Sequence, residues 1–236
     1  MLCKIADLIV NVPAAGGLAS RCGEYLWTET ADADIMIHED RYRRDKYDPR
    51  VGENMVAYME SAYQFYCELI RFDGFYLHAS AVVRNGKAYL FSGHCRAGKS
   101  THARLWQQTF GGEVYVINDD KPALRCIDGI WYAYGTPWCG KDGINRNDAA
   151  PVVGVCFLKQ ASENRIRKLK PAEALQKMLS QTIYKFEDAV QLDLMLGHME
   201  RFLQSIPVYE LENRPEPSAA LMSYQTMSGE AGENCV

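Results

Sequence analysis

The sequence lacks the long apolar segments that a membrane protein needs. None of its 236 residues belongs to a run of 18 or more consecutive apolar residues, so we expect no membrane-spanning helix and no membrane partner. Residues 1–7 contain no charged segment followed by an apolar one, which is the pattern of a secretory signal. These two absences predict a cytoplasmic protein.

Metal-binding and disulfide patterns of cysteine are also missing, although the chain has eight cysteines. No two of them form a C-x-x-C pair, and none is spaced from a histidine as zinc ligands are. We therefore predict reduced thiols, in agreement with a cytoplasmic location. The formal net charge is −4, so an overall excess of positive charge is absent as well, and we expect no nucleic-acid partner.

The sequence does contain a complete phosphate-binding motif, G-x-x-x-x-G-K-S, at residues 93–100. Its glycines allow a turn in which successive N–H groups point at one site, its lysine places a charge on β- and γ-phosphates, and its serine hydroxyl can bind Mg²⁺. We therefore predict ATP and Mg²⁺ as cofactors. The predicted nucleotide-binding residues are Gly93, His94, Cys95, Arg96, Ala97, Gly98, Lys99, Ser100 and Thr101. The alternative is a glycine-rich turn that ends in Lys-Ser by chance.

The residues around the motif have the secondary structure that a phosphate-binding loop requires. Residues 87–91 are apolar and aromatic, which predicts a strand that enters the loop. Residues 101–108 contain neither glycine nor proline and are followed by Gly111 and Gly112, which predicts a helix that leaves the loop. Cys95 then lies at the N-terminus of this helix, where a thiolate is favoured, or it is merely tolerated there.

The rest of the chain predicts an α/β fold with a mixed, largely antiparallel sheet, in which a hairpin leads into the P-loop and helices flank the sheet. A strand at 75–83 and the Asn85-Gly86 turn form the hairpin, since Asn-Gly between two strand-like runs is a strong hairpin signal. Further strands are predicted at 114–117, 124–127, 130–134, 152–158 and 208–211, and helices at 53–70, 171–181 and 187–204. Residues 215–236 are polar and small, which predicts a frayed end.

The domain organisation follows from the length and from the absence of internal repeats and low-complexity linkers. One α/β domain over residues 1–236 is the simplest interpretation. Within it, residues 75–160 are predicted to form the nucleotide-binding core, and residues 1–50 an added N-terminal lobe.

Two adjacent aspartates, Asp119 and Asp120, follow the predicted strand at 114–117. They come about 20 residues after Ser100, where the second carboxylate of a phosphoryl-transfer enzyme is expected. Because neighbouring residues at a strand end point to opposite sides, one acid could face Mg²⁺ and the other the acceptor hydroxyl. We predict Lys99 and both acids as catalytic residues and Ser100 and Asp120 as metal ligands, although the sequence does not settle which acid has which role. The alternative is a solvated turn that caps the next segment.

His78 belongs to the predicted strand at 75–83, which runs antiparallel to the strand that enters the loop. A hairpin with a two-residue turn pairs residues symmetrically about that turn, so His78 falls level with Gly93. We therefore predict that His78 is catalytic and lies within hydrogen-bond reach of one of the two carboxylates or of the γ-phosphate. The alternative is a structural histidine that is satisfied within the sheet.

These features together resemble a known family. Leu-His-Ala-Ser at residues 77–80, a hairpin, G-x-x-x-x-G-K-S and a strand that ends in Asp-Asp-Lys are similar to the catalytic core of HPr kinase/phosphatase. That enzyme shares its architecture with phosphoenolpyruvate carboxykinase. The resemblance covers residues 75–121 and extends loosely through residues 135–158, which look like a stretch of small stand-alone HPr-kinase-like proteins.

The resemblance implies roles for individual residues. Lys99 and Ser100 would hold the nucleotide and Mg²⁺, and Asp119 or Asp120, supported by His78, would act on an acceptor serine hydroxyl. The chain also departs from the family, because an acidic Leu-Glu-Ile-Arg-type segment is not visible after the core, where Gly-Thr-Pro-Trp stands instead.

The predicted function is that of an ATP-dependent kinase. It would transfer the γ-phosphoryl group to a hydroxyl, in the first place that of a serine, on a peptide, a small protein or a small molecule. A second hypothesis is a nucleotide-binding regulatory module with little transferase activity. A carboxykinase-like enzyme is less consistent with the sequence, because the chain is short and shows no additional metal ligands. The acceptor, the nucleotide preference, phosphatase activity and homo-oligomer formation stay open.

Overall fold

The structure is a computed structural model that describes residues 1–14, 18–184 and 188–229. Its strands are β1 Leu2–Ile5, β2 Leu8–Asn11, β3 Ile35–Met36, β4 Gly74–Tyr76, β5 Ala79–Arg84, β6 Lys87–Ser92, β7 Val114–Asp120, β8 Ala123–Ile127, β9 Ile130–Tyr134, β10 Ala149–Gln160, β11 Arg165–Lys168 and β12 Val208–Asn213. Its α-helices are α1 Glu53–Leu69, α2 Lys99–Phe110, α3 Pro171–Leu179, α4 Ala189–Ser205 and α5 Pro217–Ser228. None of the helices in these residues combines the length and the apolarity needed to span a bilayer.

Nine of the described strands form one mixed, mostly antiparallel sheet. Its order is β4-β8-β9-β10-β6-β5-β7, and β12 pairs with both β10 and β11. Only the pairings of β10 with β6 and with β12 are parallel among these strands. The predicted α/β class with a largely antiparallel sheet is therefore confirmed, as is the hairpin that leads into the loop after β6.

Helices cover both faces of this sheet. Along β10, successive side chains alternate between two apolar clusters, one on each face. Val155 and Phe157 pack in one apolar cluster with residues of α3 and α4, whereas Cys156 and Leu158 pack in another with residues of α2 and α5. Side chains of successive residues point to opposite faces of a sheet, so a strand buried on both faces is apolar throughout. This explains why residues 152–158 lack polar side chains.

The predicted single strand at 75–83 is wrong, because the structure divides it into β4 and β5. β4 pairs with β8, whereas β5 pairs with β6 and β7. Between the two strands, the backbone N–H of His78 donates to the carbonyl of Gln181 at 2.8 Å, and the hydroxyl of Thr182 donates to the carbonyl of Tyr76. The segment after α3 thus takes the hydrogen bonds that would continue one strand, and His78 lies at the break.

The prediction of a frayed end after residue 215 is also wrong for residues 217–228. These residues form α5, whose Ala220, Tyr224 and Met227 are buried against the sheet and against Trp106 of α2. The sequence of this segment has only a narrow apolar stripe, and the helix is stabilised by burial against α2, which is distant along the chain. Residues 230–236 and residue 187, the predicted start of α4, lie outside the described residues.

The N-terminal residues form a three-stranded sheet of β1, β2 and β3 that shares its core with the main domain. Ile5, Val10 and Ile35 pack in one buried cluster with residues of α1 and with Trp138. Arg125 of β8 also links the main sheet to the N-terminal sheet, since its guanidinium donates to the carbonyl of Ala6, between β1 and β2, at 2.6 Å. A buried cation must be hydrogen-bonded, so this arginine has a structural role.

Candidate functional site

The hairpin and its neighbour bring the loop and the two aspartates to the same edge of the sheet. β5 lies between β6 and β7, and its Ala79 is opposite Ser92 on one side and Asp120 on the other. Because both outer strands run antiparallel to β5, both end at this edge. Neighbouring strands are about 4.8 Å apart, so the start of the loop and Asp120 are separated by about 10 Å.

The loop of residues 93–98 turns sharply between β6 and α2, and its backbone requires glycine at defined positions. Gly93 and Gly98 have φ values of 144° and 101°, which side chains rarely allow. A Cβ atom added at Gly93 would lie 2.9 Å from Cβ of Ala97 and 3.1 Å from the carbonyl of Leu158. His94, Cys95 and Arg96 are exposed, and Ser100 is half-buried in the first turn of α2.

Lys99 folds back over the loop. Its Nζ donates to the carbonyls of Gly93 and His94 at 3.0 and 3.3 Å, and the residue is only 9% exposed. Burial lowers the pKa of Lys99, while the proximity of Asp120, Cys95 and Asp119 acts in the opposite direction. The ammonium group therefore lies within electrostatic reach of both aspartates.

The two aspartates have different surroundings. Asp119 is buried and accepts a hydrogen bond from the hydroxyl of Ser80, which is opposite it on β5. Asp120 is more accessible, and its Oδ1 lies 3.0 Å from Nε2 of His78, while its Oδ2 pairs with Nζ of Lys121. Burial alone would raise the pKa of Asp120, but the contacts with His78 and Lys121 prevail and hold that pKa at about 2.

The backbone of Asp120 is strained. Its φ is 150°, a region that is almost restricted to glycine, and it forms a bridge with Cys139. Such a conformation costs on the order of 1–3 kcal/mol and is typical of functional sites. The loop after β9 stabilises it, because the N–H of Gly140 donates to the carbonyl of Asp119 at 2.7 Å.

His78 is fixed by its backbone on both sides. Its N–H is bound by the segment after α3, as described above, and its carbonyl accepts a hydrogen bond from the hydroxyl of Ser92 at 2.8 Å. The hairpin register predicted about the Asn85-Gly86 turn is confirmed, since Ala79 pairs with Ser92 and Arg84 with Lys87. The structure thus places His78 beside Asp120, at the level of the loop.

Two cavities flank this arrangement. One of about 300 Å³ lies against the loop and is lined by Ala97, Gly98, Thr101, His102, Gln160, Ala161, Asn213 and Pro215. The other, of about 360 Å³, opens on Asp120 and is called the acid-side cavity below. It is lined by Arg21, Asn54, Met55, Tyr58, Met59, Asp120, Lys121, Cys139, Gly140 and Lys141.

The structure thus brings together most of the predicted site residues and adds some that the sequence did not indicate. Lys99, Asp119, Asp120 and His78 meet at one edge of the sheet. Arg21, Met55, Tyr58 and Met59 were missed, because they come from the N-terminal segment and α1 and have no motif. Trp138 is a packing residue, since it stacks on Phe65 and donates from its Nε1 to Ser61 at 3.0 Å.

Comparisons with known proteins give a distant structural likeness. No protein-family model matches the chain, and no curated protein matches its sequence. Among solved structures, the chain is similar to the HPr(Ser) kinase/phosphatase from Coxiella burnetii, with 10% identity over 66% of this chain and 95% of that chain. The TM-score is 0.37. A likeness of this size assigns no function, so the functional conclusion depends on the site itself.

Proposed function

We propose that the chain is an ATP-dependent kinase that transfers the γ-phosphoryl group to a hydroxyl. The observation that supports this most is the meeting of two groups at one sheet edge: Lys99 with its glycine-containing loop, and Asp120 with His78. Phosphoryl transfer requires little covalent chemistry from the protein, and it depends mainly on positioning and on positive charge near the phosphates.

In this proposal, the loop of residues 93–98 and Lys99 bind the phosphates of ATP, with Thr101 at the nucleoside side. The Nζ of Lys99 now donates to two loop carbonyls. Phosphate oxygens carry charge and are better acceptors for an ammonium group, so they would replace these carbonyls. The cavity of about 300 Å³ beside the loop would then hold part of the nucleoside.

The residues present fit a magnesium ion that is bound together with the nucleotide. The described residues contain no group of three or more His, Cys, Asp or Glu side chains that could hold a metal by itself. Mg²⁺ usually needs only one or two protein oxygens besides phosphates and water, so this absence is no objection. The sequence predicts Ser100 and Asp120 as ligands. Because Asp120 already contacts His78 and Lys121, we assign the metal to Ser100 and Asp119 instead.

Asp120 and His78 would act on the acceptor. The hydroxyl oxygen forms a bond to the γ-phosphorus while the bond from that phosphorus to the β,γ-bridging oxygen breaks, and ADP leaves. The hydroxyl proton passes to the pair of Asp120 and His78. With a pKa of about 2, Asp120 is ionised at neutral pH, so its first task is to orient the hydroxyl by accepting its hydrogen bond.

The proposal is tested by incubating the protein with Mg-ATP and a panel of hydroxyl compounds and serine peptides. We expect ADP formation that depends on the acceptor and equals the amount of phosphorylated acceptor found by mass spectrometry. Failure of ATP to bind in calorimetry contradicts the proposal. Tight ATP binding without any transfer favours the regulatory module.

A further inference from the structure

The acid-side cavity combines unequal charges with an apolar wall. Three cations, Arg21, Lys121 and Lys141, line it together with one acid, Asp120. Asp120 is already paired with His78 and Lys121. The cavity therefore has an excess of positive charge from Arg21 and Lys141, and such a cavity attracts anions.

Neither of these two cations has an acidic partner among the residues that the structure describes. Lys141 is exposed, and the neighbouring Asp142 is paired with Arg104 of α2. Arg21 is half-buried and makes its hydrogen bonds to backbone carbonyls and to sulfur, not to a carboxylate. A cation that is partly removed from water without a countercharge is costly, and an anionic ligand would supply that countercharge.

Arg21 is also held in one orientation. Its Nη1 donates to the carbonyls of Cys139 and Gly140 at 2.6 and 3.3 Å, and its guanidinium carbon lies 5.1 Å from the ring centroid of Tyr58. The hydroxyl of Tyr58 donates a hydrogen bond to the same carbonyl of Cys139 at 2.8 Å and so holds that acceptor in place. In the described part of the chain, Nε and Nη2 of Arg21 make no hydrogen bond. A planar pair of free donors on an oriented guanidinium matches a carboxylate or a phosphate group.

Apolar side chains complete the cavity. Met55 is 52% exposed, and Met59 and the ring of Tyr58 lie beside it on α1. Helical residues three or four positions apart lie on the same face, so these side chains form a continuous surface. A ligand of this cavity therefore has an apolar part as well as a charged one.

From this geometry we infer that the acceptor is an alcohol that carries an anionic group, a carboxylate or a phosphate, a few bonds from its hydroxyl. Arg21 binds the anion with the support of Lys141, the carbon skeleton packs against Met55 and Met59, and the hydroxyl faces Asp120. This inference rests on the proposed kinase function for the word acceptor, but the anion site itself can be tested without catalysis.

The test uses the methionine methyl groups as reporters. The full chain is labelled with ¹³C at its methionine methyls, saturated with Mg-ADP, and titrated with glycerol, glycerate and glycerol 3-phosphate. These three compounds share a carbon skeleton and differ in charge. We expect saturable shifts of the Met55 and Met59 signals with at least one of the two anions and none with glycerol. The signals of Met195 and Met199, which are buried between α4 and the sheet, serve as internal references.

Comparison of the two anions distinguishes a carboxylate from a phosphate ligand. Arg21→Gln should weaken binding of the anion about tenfold or more, which is the loss of one bidentate charge-assisted contact. Arg71→Gln, which changes an exposed arginine in the turn that follows the other end of α1, should not. Equal binding of glycerol, the absence of saturable shifts with both anions, or unchanged binding by the Arg21 variant overturns the inference.

The two proposals fail separately. If calorimetry shows no nucleotide binding while the anions still shift the Met55 and Met59 signals, the proposed kinase function is contradicted and the inferred anion site is supported. If the protein binds nucleotide and phosphorylates neutral alcohols with no preference for anionic ones, the inferred anion site is contradicted and the proposed kinase function is supported.

Discussion

The imidazole Nε2 of His78 lies 3.0 Å from Oδ1 of Asp120, because His78 directly precedes Ala79, the residue of β5 that pairs with Asp120 of β7. β5 separates the loop strand from the acid strand, and His78 directly precedes β5. The contact thus forms across the end of the sheet, where the backbone of His78 is fixed and that of Asp120 is strained. Together with the pairing to Lys121, this contact distinguishes Asp120 from Asp119, whose described side-chain partner is Ser80.

The first prediction concerns this contact. Replacing His78 with alanine should raise the pKa of Asp120 above about 2, because the hydrogen bond from His78 lowers it. The rate of transfer should fall on the order of 10²-fold, as is usual when a proton-transfer partner is lost. Affinity for Mg-ATP should stay the same. The pKa is measured by NMR of the ¹³C-labelled carboxyl group, and an unchanged pKa together with an unchanged rate contradicts the role.

The second prediction separates the two acids. Asp119→Asn and Asp120→Asn should both abolish transfer, but only Asp119→Asn should weaken binding of Mg-ATP relative to ATP without metal. The reason is that Asp120 is engaged by His78 and Lys121, whereas the one described side-chain partner of Asp119 is the hydroxyl of Ser80. Calorimetry with and without Mg²⁺ measures this difference. If only Asp120→Asn weakens the binding of Mg-ATP, the metal ligand is Asp120 and not Asp119. Small and equal effects of both substitutions would favour the alternative in which the two aspartates only cap the following segment.

The third prediction concerns the cation of the loop. Lys99→Ala should lower the affinity for ATP by orders of magnitude, since it removes a buried ammonium group from the loop. Lys87→Ala, which changes an exposed lysine at the other end of β6, is the matched control and should bind ATP normally. Circular dichroism should show that both variants are folded. If the Lys99→Ala variant binds and turns over ATP like the parent protein, the assignment of the loop is refuted.

The fourth prediction concerns the docking of α5. The buried hydroxyl of Ser223 accepts from Nε1 of Trp106 at 2.9 Å and lies 3.0 Å from Nε2 of His102. Ser223→Ala leaves these groups without a partner and should lower the free energy of unfolding by about 1–3 kcal/mol. Thermal unfolding measures the effect, at roughly 2–4 °C per kcal/mol for a chain of this size. Gln225→Ala, on the exposed side of α5, should change the stability little.

The fifth prediction is a pH dependence of stability that arises from His102. Burial lowers the pKa of His102 to about 4, whereas an unfolded histidine titrates near 6.5. Between these two values the unfolded chain binds a proton that the folded chain does not bind. Stability should therefore fall as the pH decreases from 6.5 to 4, by about 3 kcal/mol in total.

Denaturant unfolding at several pH values provides this measurement. The variant His102→Gln should lose most of the decrease between pH 6.5 and pH 4, because glutamine has no proton to gain. His94→Gln changes an exposed histidine and should keep it. An identical pH profile in the His102 variant would show that other groups cause the decrease.

By itself, the sequence determined the features that depend on neighbouring residues. The Asn85-Gly86 turn was sufficient to predict the register of β5 and β6, because a two-residue turn constrains the strands on either side of it. The strand, glycine-containing loop and helix around Lys99 could also be predicted. Their signals are an apolar run, the spacing of two glycines and the absence of glycine and proline after Lys99, and all of these lie within a short stretch of sequence. The position of Asp119 and Asp120 at a strand end was also evident, although the strand includes both of them.

Only the tertiary structure decided the remaining features, since they depend on contacts between distant parts of the chain. The break at His78 arises from hydrogen bonds to the segment after α3, and the helix at Pro217–Ser228 is stabilised by burial against α2. Arg21 reaches the cavity beside Asp120 because the N-terminal sheet packs on α1 and on Trp138. Such contacts have no short-range signature, because packing energy is gained only when the whole core assembles.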